Sequence, residues 1–249
     1  MTEKRLDGRV AVVTGASRGI GWQASLALAR EGAHIIAVAK TVGALEELDD
    51  NIKELGSTAT LVPLDLSDYD AIDRLGAAIY ERWGKLDILL GNAGLLGPIT
   101  PLTHADPEKD WEKVMAVNLT ANWRLIRSLD PLLRQSEAGR ALFMTSGAPH
   151  KCKPYWGIYS ITKAGLEAMV RTYAGEIEKT NVRVNCFNPG PTRTGMRAKA
   201  YLGEDPMTVP HPSELTPYIV DCLLPQCAEH GRMFDFPSLS WKDYGSPVS

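Results

Sequence analysis

Tyr159 and Lys163 stand four residues apart in the run Tyr-Ser-Ile-Thr-Lys, a spacing that puts both side chains on one face of a helix. A phenol with a pKa near 10 is a sluggish acid or base at neutral pH, and a neighbouring ammonium draws that value toward the working range by stabilising phenolate. Such a pair suits reduction of a carbonyl, where a proton must reach oxygen as hydride reaches carbon. Ser146, thirteen residues upstream in Thr145-Ser-Gly147, offers a hydroxyl to orient and polarise the substrate oxygen. Tyr-x-x-x-Lys alone also describes an exposed tyrosine beside a solvated lysine, so the pair gains meaning only from its companions. Tyr155 is a rival donor by proximity, but it has no lysine four positions on and is expected to line the pocket with Trp156. Cys152, without a nearby base, and His150 read as structural residues. The pairs His34 with His104 and His211 with His230 lack metal-ligand spacing, so no metal is expected.

A second motif is Thr14-Gly-Ala-Ser-Arg-Gly-Ile-Gly21, between a β-branched apolar run and a helical run from Trp22 to Glu31. Glycines at such a junction let the backbone approach a pyrophosphate, whose charge the helix N-terminus favours. The generic fingerprint Gly19-x-Gly21-x-x-Ala24 is weak alone; its position after the first strand and the additional Gly15 strengthen it. The segment Gly15, Ser17, Arg18, Gly19, Ile20 and Gly21 is thus a candidate cofactor-binding loop. An NAD-selective site needs a carboxylate about 20 residues past the glycines, whereas NADP needs cations for its 2′-phosphate. No acidic residue lies between Glu31 and Glu46, and the second strand ends in Lys40. Arg18 and Lys40 together therefore predict NADP(H), against the alternative that both are ordinary solvated side chains.

These groups need a scaffold that brings loops from distant points of the chain together. Short apolar runs alternate with helix-period segments through most of the sequence, which predicts a parallel sheet. Strands are expected near Val10 to Val13, His34 to Ala39, Ala59 to Leu64, Leu86 to Leu90, Arg140 to Thr145 and Val182 to Phe187, with a weaker seventh at Met233 to Phe236. Helices are expected to begin near Gly19, Gly43, Asp68, Pro107, Gly157 and Ser213. Strands that are apolar throughout are buried on both faces. Right-handed crossovers then give an α/β, doubly wound parallel sheet of about seven strands flanked by helices, a single Rossmann domain over 1–249. The segment 195–212, rich in Gly, Pro and charge, reads as a mobile substrate lid.

With the motifs in this order the sequence resembles the classical short-chain dehydrogenase/reductase family, whose TGxxxGxG segment is matched by Thr14, Gly15, Gly19 and Gly21. The resemblance covers roughly Leu6 to Arg197. It implies that Asp65 holds the adenine ring, that Asn92-Ala93-Gly94 stabilises the sheet and contacts the ribose, and that Pro189, Gly190, Thr192 and Thr194 meet the nicotinamide carboxamide. It implies that Tyr159 and Lys163 also contact the cofactor, Lys163 at the nicotinamide ribose. Asn118, in Val117-Asn-Leu-Thr, matches the family's fourth catalytic member, which holds a water linking the lysine to solvent. It further implies pairing through the long helices near Pro107 and Gly157 into a homodimer or homotetramer. Gly91 replaces an asparagine common in the family, and Asp235-Phe-Pro237 stands where many members carry a Gly-Gly turn, which leaves the packing of the tail 238–249 open.

The 249 residues carry 27 Lys plus Arg against 30 Asp plus Glu, a net charge of −3 that offers no footprint for nucleic acid or an anionic membrane. With 44% hydrophobic and 23% charged residues the composition is that of a globular chain. No apolar run approaches a spanning length, the N-terminus lacks a signal-peptide h-region, and the four cysteines are scattered, so a soluble cytoplasmic protein is expected. The leading reading is an NADP(H)-dependent oxidoreductase interconverting a small-molecule carbonyl and a secondary alcohol. A catalytically idle dinucleotide-binding sensor or scaffold is the alternative; it would be expected to lose one of Asn118, Ser146, Tyr159 or Lys163. An extended sugar-nucleotide epimerase would need more chain after Thr194.

Overall fold

Val10, Ala11, Val12 and Val13 alternate between two apolar layers, Ala11 and Val13 facing one and Val10 and Val12 the other, as the period of a strand requires. The computed structural model describes residues 4–244 and builds a sheet on such runs. In chain order the elements are β1 (Val10–Thr14), α1 (Gly19–Arg30), β2 (His34–Ala39), α2 (Val42–Glu54), β3 (Ala59–Pro63), α3 (Tyr69–Trp83), β4 (Ile88–Gly91), α4 (Lys113–Met115), α5 (Ala121–Leu133), β5 (Arg140–Met144), α6 (Ala148–Lys151), α7 (Gly157–Ile177), β6 (Arg183–Asn188), α8 (Gly195–Ala200), α9 (Pro212–Leu223), β7 (Met233–Asp235) and β8 (Ser240–Lys242).

The strands lie in the order β3-β2-β1-β4-β5-β6-β7-β8. All neighbours are parallel except the last pair, in which β8 runs back along β7 with Phe234 opposite Trp241. The expected seven-stranded sheet is thus present with an antiparallel eighth strand. That strand is three residues long and carries one apolar side chain, Trp241, whose ring meets Phe234 at 5.4 Å; so short a run has no period to read.

Leu45, Leu48 and Ile52 of α2 and Leu215, Ile219 and Leu223 of α9 cover one face of the sheet with α1. Ile72 and Ile79 of α3, Leu125 and Leu129 of α5, and Leu166, Val170 and Ile177 of α7 cover the other. Local signals set the helix ends. Asp68 accepts the Ala71 N–H at 3.0 Å to start α3, and Gly84 ends it at φ +68°. Asp106, accepting from the Glu108 and Lys109 N–H groups, opens a helical run over 107–133 whose segments Pro107–Glu112 and Ala116–Thr120 are π-wound.

The strand order reverses between β1 and β4, which is where a doubly wound sheet leaves a crevice outside its carboxyl ends. The loops after β1, β2, β4, β5 and β6 all open there. The segment 195–212, expected to be a lid, contains α8 and a 3-10 turn at Pro206–Thr208. Of the tail 238–249, residues to Lys242 form the turn and β8; positions 245–249, like 1–3, lie outside the described residues.

Candidate active site

The crevice is a cavity of about 840 Å³, and Thr14 ties together the strand ends from which its first loops leave. The Thr14 hydroxyl donates to the Leu90 carbonyl at 3.3 Å and accepts the Asn92 and Ala93 N–H groups at 2.9 and 3.1 Å. Asn92 Nδ2 returns a bond to the Thr14 carbonyl at 2.9 Å, so the ends of β1 and β4 are tied across the reversal. Gly15 turns the chain at φ +67°, a region costly for residues with a Cβ. A Cβ on Gly21 would fall 2.3 Å from the Gly15 carbonyl oxygen and 2.5 Å from Asn92 Nδ2. The loop and the first turn of α1 are therefore in backbone contact, and no side chain caps the α1 N-terminus. Its orphan N–H groups face the cavity loop unpaired by side chains, an arrangement that fits a pyrophosphate.

Gly15, Ser17, Arg18, Gly19 and Ile20 line the cavity, as do Lys40, Asn92, Ala93, Gly94, Pro189, Gly190, Thr192 and Thr194. Gly21 and Asp65 do not. Gly21 sits behind the loop as packing, while the carboxylate of Asp65 is engaged beside it. Asp65 accepts the Ser67 N–H and hydroxyl at 2.9 and 2.7 Å and pairs with Lys40 Nζ at 2.6 Å. Partial burial works against ionisation, but the bonds from Lys40 and Ser67 outweigh it and hold the Asp65 carboxyl down to about 2. Its neighbours Leu64 and Leu66 reach the wall instead. Of the two expected phosphate cations, Arg18 has no ion pair among the described residues and Lys40 is shared with Asp65.

Helix α7 presents Tyr159 and, one turn on, Lys163; both line the cavity with Ser146 from the end of β5. Lys163 is buried, donates to the Met144 carbonyl at 2.6 Å and lies 5.8 Å from the centroid of the Tyr159 ring. Burial raises the Tyr159 phenol to about 12, with a hydrogen bond to Ser146 acting against it. Burial lowers Lys163 to about 8, against the opposing pulls of Cys186 and Glu167. Burial thus acts on both groups, raising the phenol and lowering the ammonium. The phenol holds its proton at neutral pH and can donate it.

Asn118 is fully buried behind the cavity wall. Its Oδ1 accepts the Leu95 N–H at 2.7 Å and its Nδ2 donates to the Leu95 carbonyl and the Thr162 hydroxyl at 2.8 and 3.1 Å. It lies in the π-wound segment, and its own carbonyl accepts from Asn122 Nδ2 at 2.7 Å; π-bulges interrupt helices frequently at functional sites. Asn118 Oδ1 and Lys163 Nζ lie 3.5 and 3.8 Å from the point a Cβ on Gly94 would occupy, so both groups converge behind Gly94.

After β6, Gly190 adopts φ +63°, and a Cβ there would meet the Pro237 ring at 2.5 Å. The departure at Asp235-Phe-Pro237 is thus a packing partner of the loop. Thr192 donates to the Pro189 carbonyl at 3.2 Å, and Thr194 caps α8 by accepting the Arg197 N–H at 3.2 Å. Trp156 lies on the wall, but Tyr155 does not: it is exposed at φ +72°, since the turn before α7 directs it outward. Residues not anticipated from the sequence stand at the rim. Lys151 and Lys153 line the cavity, and His150, also on the wall, meets the buried Glu167 at 3.2 Å. They sit on an irregular loop, where periodicity says nothing of direction. Arg197, in the lid segment, is clamped by Glu204 at 2.5 Å and stacks 3.5 Å over Tyr201.

Among the described residues no group of three or more His, Cys, Asp or Glu side chains could hold a metal, and no helix is long and apolar enough to cross a membrane. The family model for short chain dehydrogenases matches residues 9–205. The oxidoreductase YciK of Escherichia coli K12 is 37% identical over 215 residues, covering 85% of this chain and 84% of its own. A short chain dehydrogenase of Salmonella enterica serovar Typhi superimposes with a TM-score of 0.90 at 35% identity, over 94% of this chain and 98% of that one. A short chain dehydrogenase of Escherichia coli CFT073, complexed with NADPH, does so with a TM-score of 0.89 at 35% identity, over 94% and 99%. Sequence match and whole-chain superposition agree with the strand order and its crevice: the chain belongs to the short chain dehydrogenase family of oxidoreductases.

Proposed function

We propose that this protein is an NADP(H)-dependent reductase or dehydrogenase that interconverts a carbonyl and a secondary alcohol on a small molecule. The observation that carries the reading is the convergence of Ser146, Tyr159 and Lys163 on one cavity that also opens onto the uncapped α1 N-terminus. The cradle fits a dinucleotide: Gly15 to Ile20 and the α1 N–H groups would hold its pyrophosphate, Asn92 to Gly94 and Lys163 its nicotinamide ribose, and Pro189, Gly190, Thr192 and Thr194 its carboxamide. Asp65 acts at the adenine end. Arg18, with Lys40, takes the 2′-phosphate, consistent with the lack of an acidic residue between Glu31 and Glu46. NADP(H), when bound, supplies or accepts the hydride.

The chain's own groups do the rest. Ser146 Oγ holds the substrate oxygen by a hydrogen bond. Tyr159 Oη, protonated well above neutral pH, gives its proton to that oxygen in reduction and takes it back in oxidation. Lys163 faces the phenol and restores the proton, with Asn118 behind Gly94 completing the route toward water. Residues 195–212 close over the substrate as a lid, its Arg197–Glu204 clamp fixing the start of the segment.

The protein acts in the cytoplasm, without nucleic acid or membrane partners, as a homodimer or homotetramer. The exposed Trp111, Trp123 and Ile161 on the helical run over 107–133 and on α7 support that assembly. The test is a titration with NADPH and NADH followed by nicotinamide fluorescence. Tighter binding of NADPH, lost in the Arg18→Ala Lys40→Ala protein while NADH binding persists, is expected; equal losses for both nucleotides would remove the 2′-phosphate assignment.

A further inference from the structure

The aromatic wall leaving the reactive phenol ends in cations. The Trp156 ring lies 6.1 Å from that of Tyr159 and 5.7 Å from that of Tyr201, and Lys153 Nζ stands 5.9 Å from the Tyr201 centroid. Lys151 folds back toward the reacting end. Its Nζ is 3.7 Å from the point a Cβ on Gly147, the residue after Ser146, would occupy. Among the described residues neither lysine has an ion-pair partner, although Arg197 on the same wall is neutralised by Glu204. Among the described residues the one acidic side chain lining the cavity, Asp235, is consumed by bonds from Asn188 Nδ2 at 2.6 Å and Ser238 Oγ at 2.5 Å. The substrate side of the cavity thus combines an aromatic wall with two lysines free of ion pairs, Lys151 near the reacting end and Lys153 at Tyr201, on a chain whose net charge is −3.

We propose that the substrate is an anionic carbonyl compound. Its carbonyl lies at Ser146 and Tyr159, its ring or apolar body along Trp156 and Tyr201, and its carboxylate or phosphate at Lys153 beside Tyr201, with Lys151 adding positive charge near the reacting end. An unpaired ammonium at the edge of a low-dielectric aromatic wall, with a second on the same cavity, discriminates against a neutral analogue. The inference rests on the oxidoreductase reading for the position of the carbonyl, but the charge preference can be measured without turnover.

The experiment titrates benzoate, phenyl phosphate and the neutral benzamide into the protein by calorimetry, both free and saturated with NADP⁺. Nicotinamide fluorescence reports cofactor binding separately, so failure of the cofactor reading is visible on its own. At least one anion is expected to bind roughly tenfold or more tighter than benzamide, as charge-assisted hydrogen bonds would give. Which of the two anions prevails identifies carboxylate or phosphate as the natural group. In the Lys151→Met Lys153→Met protein the preference should fall toward unity, and in the Lys151→Arg Lys153→Arg protein it should persist. Benzamide binding as tightly as both anions, or an anion preference unchanged by the methionine substitutions, overturns the proposal.

Discussion

Gly21→Ala is the sharpest local perturbation the cradle allows. The new methyl would sit 2.3 Å from the Gly15 carbonyl oxygen, 2.5 Å from Asn92 Nδ2 and 2.9 Å from the Gly15 carbonyl carbon. The nearest obstacle is backbone, so no rotamer change relieves it and the loop must retreat by roughly 1 Å to restore ordinary contact. Overpacking of this kind costs about 1–3 kcal/mol. Displacing Asn92 also threatens its bond to the Thr14 carbonyl, a further ~1 kcal/mol. These costs fall on the fold, so the melting temperature should drop by several degrees, and because the retreating loop draws back from the pyrophosphate, NADPH affinity should fall by about tenfold or more. Gly43→Ala is the control: Gly43 lies exposed in α2 with nothing within 4 Å of its new methyl. That change should leave cofactor binding intact and stabilise the protein by up to about 1 kcal/mol. Fluorescence titration with NADPH and thermal melts of the three proteins decide the matter. A Gly21→Ala protein that binds NADPH within twofold of wild type, with an unchanged melt, would refute the close-packed cradle.

Asp65→Asn should free Lys40 from its ion pair. NADPH affinity is expected to rise relative to NADH affinity, by no more than about fivefold for an exposed pair, since any loss at the adenine is common to both nucleotides; a parallel change in both would place Lys40 away from the 2′-phosphate. Lys163 titrates near 8 in the fold against 10.5 when free. Between those values the unfolded chain binds a proton that the folded one lacks, so stability should rise with pH through this window. Urea midpoints of wild type and Lys163→Met from pH 7.5 to 9.5 test this, and identical slopes for the two would contradict it. Arg197→Ala releases Glu204 and unstacks Tyr201. It should raise KM with little change in kcat, as loss of a lid clamp requires, and a fall in kcat alone would assign Arg197 a different role.

How far the sequence reached follows from what each element was made of. β2, apolar from Ile35 to Ala39 and buried there, was legible to its last residue, and α3 was legible because Asp68 and Gly84 punctuate it. β8 was not, since three residues carry no period and its contact to Phe234 is a tertiary event. The glycine loop and the Tyr159–Lys163 pair were legible because their chemistry fixes spacing along the chain. The Lys40–Asp65 pair, the Arg197–Glu204 clamp and the lysines at the rim were not, because each depends on where a loop or a long side chain lies in space. The burial of both Tyr159 and Lys163 was not legible either, because spacing says nothing of desolvation, which raises the phenol to about 12 and lowers the ammonium to about 8.

The central claim is that Tyr159 delivers the proton while cofactor is held by other groups. It is tested most directly by single-turnover oxidation of bound NADPH with a panel of ketones, keto acids and quinones, in wild type and in Tyr159→Phe at matched cofactor saturation. The account predicts loss of nicotinamide absorbance with at least one carbonyl class in wild type, slowed about a hundredfold or more in Tyr159→Phe with NADPH affinity retained. Turnover by Tyr159→Phe at the wild-type rate would contradict it.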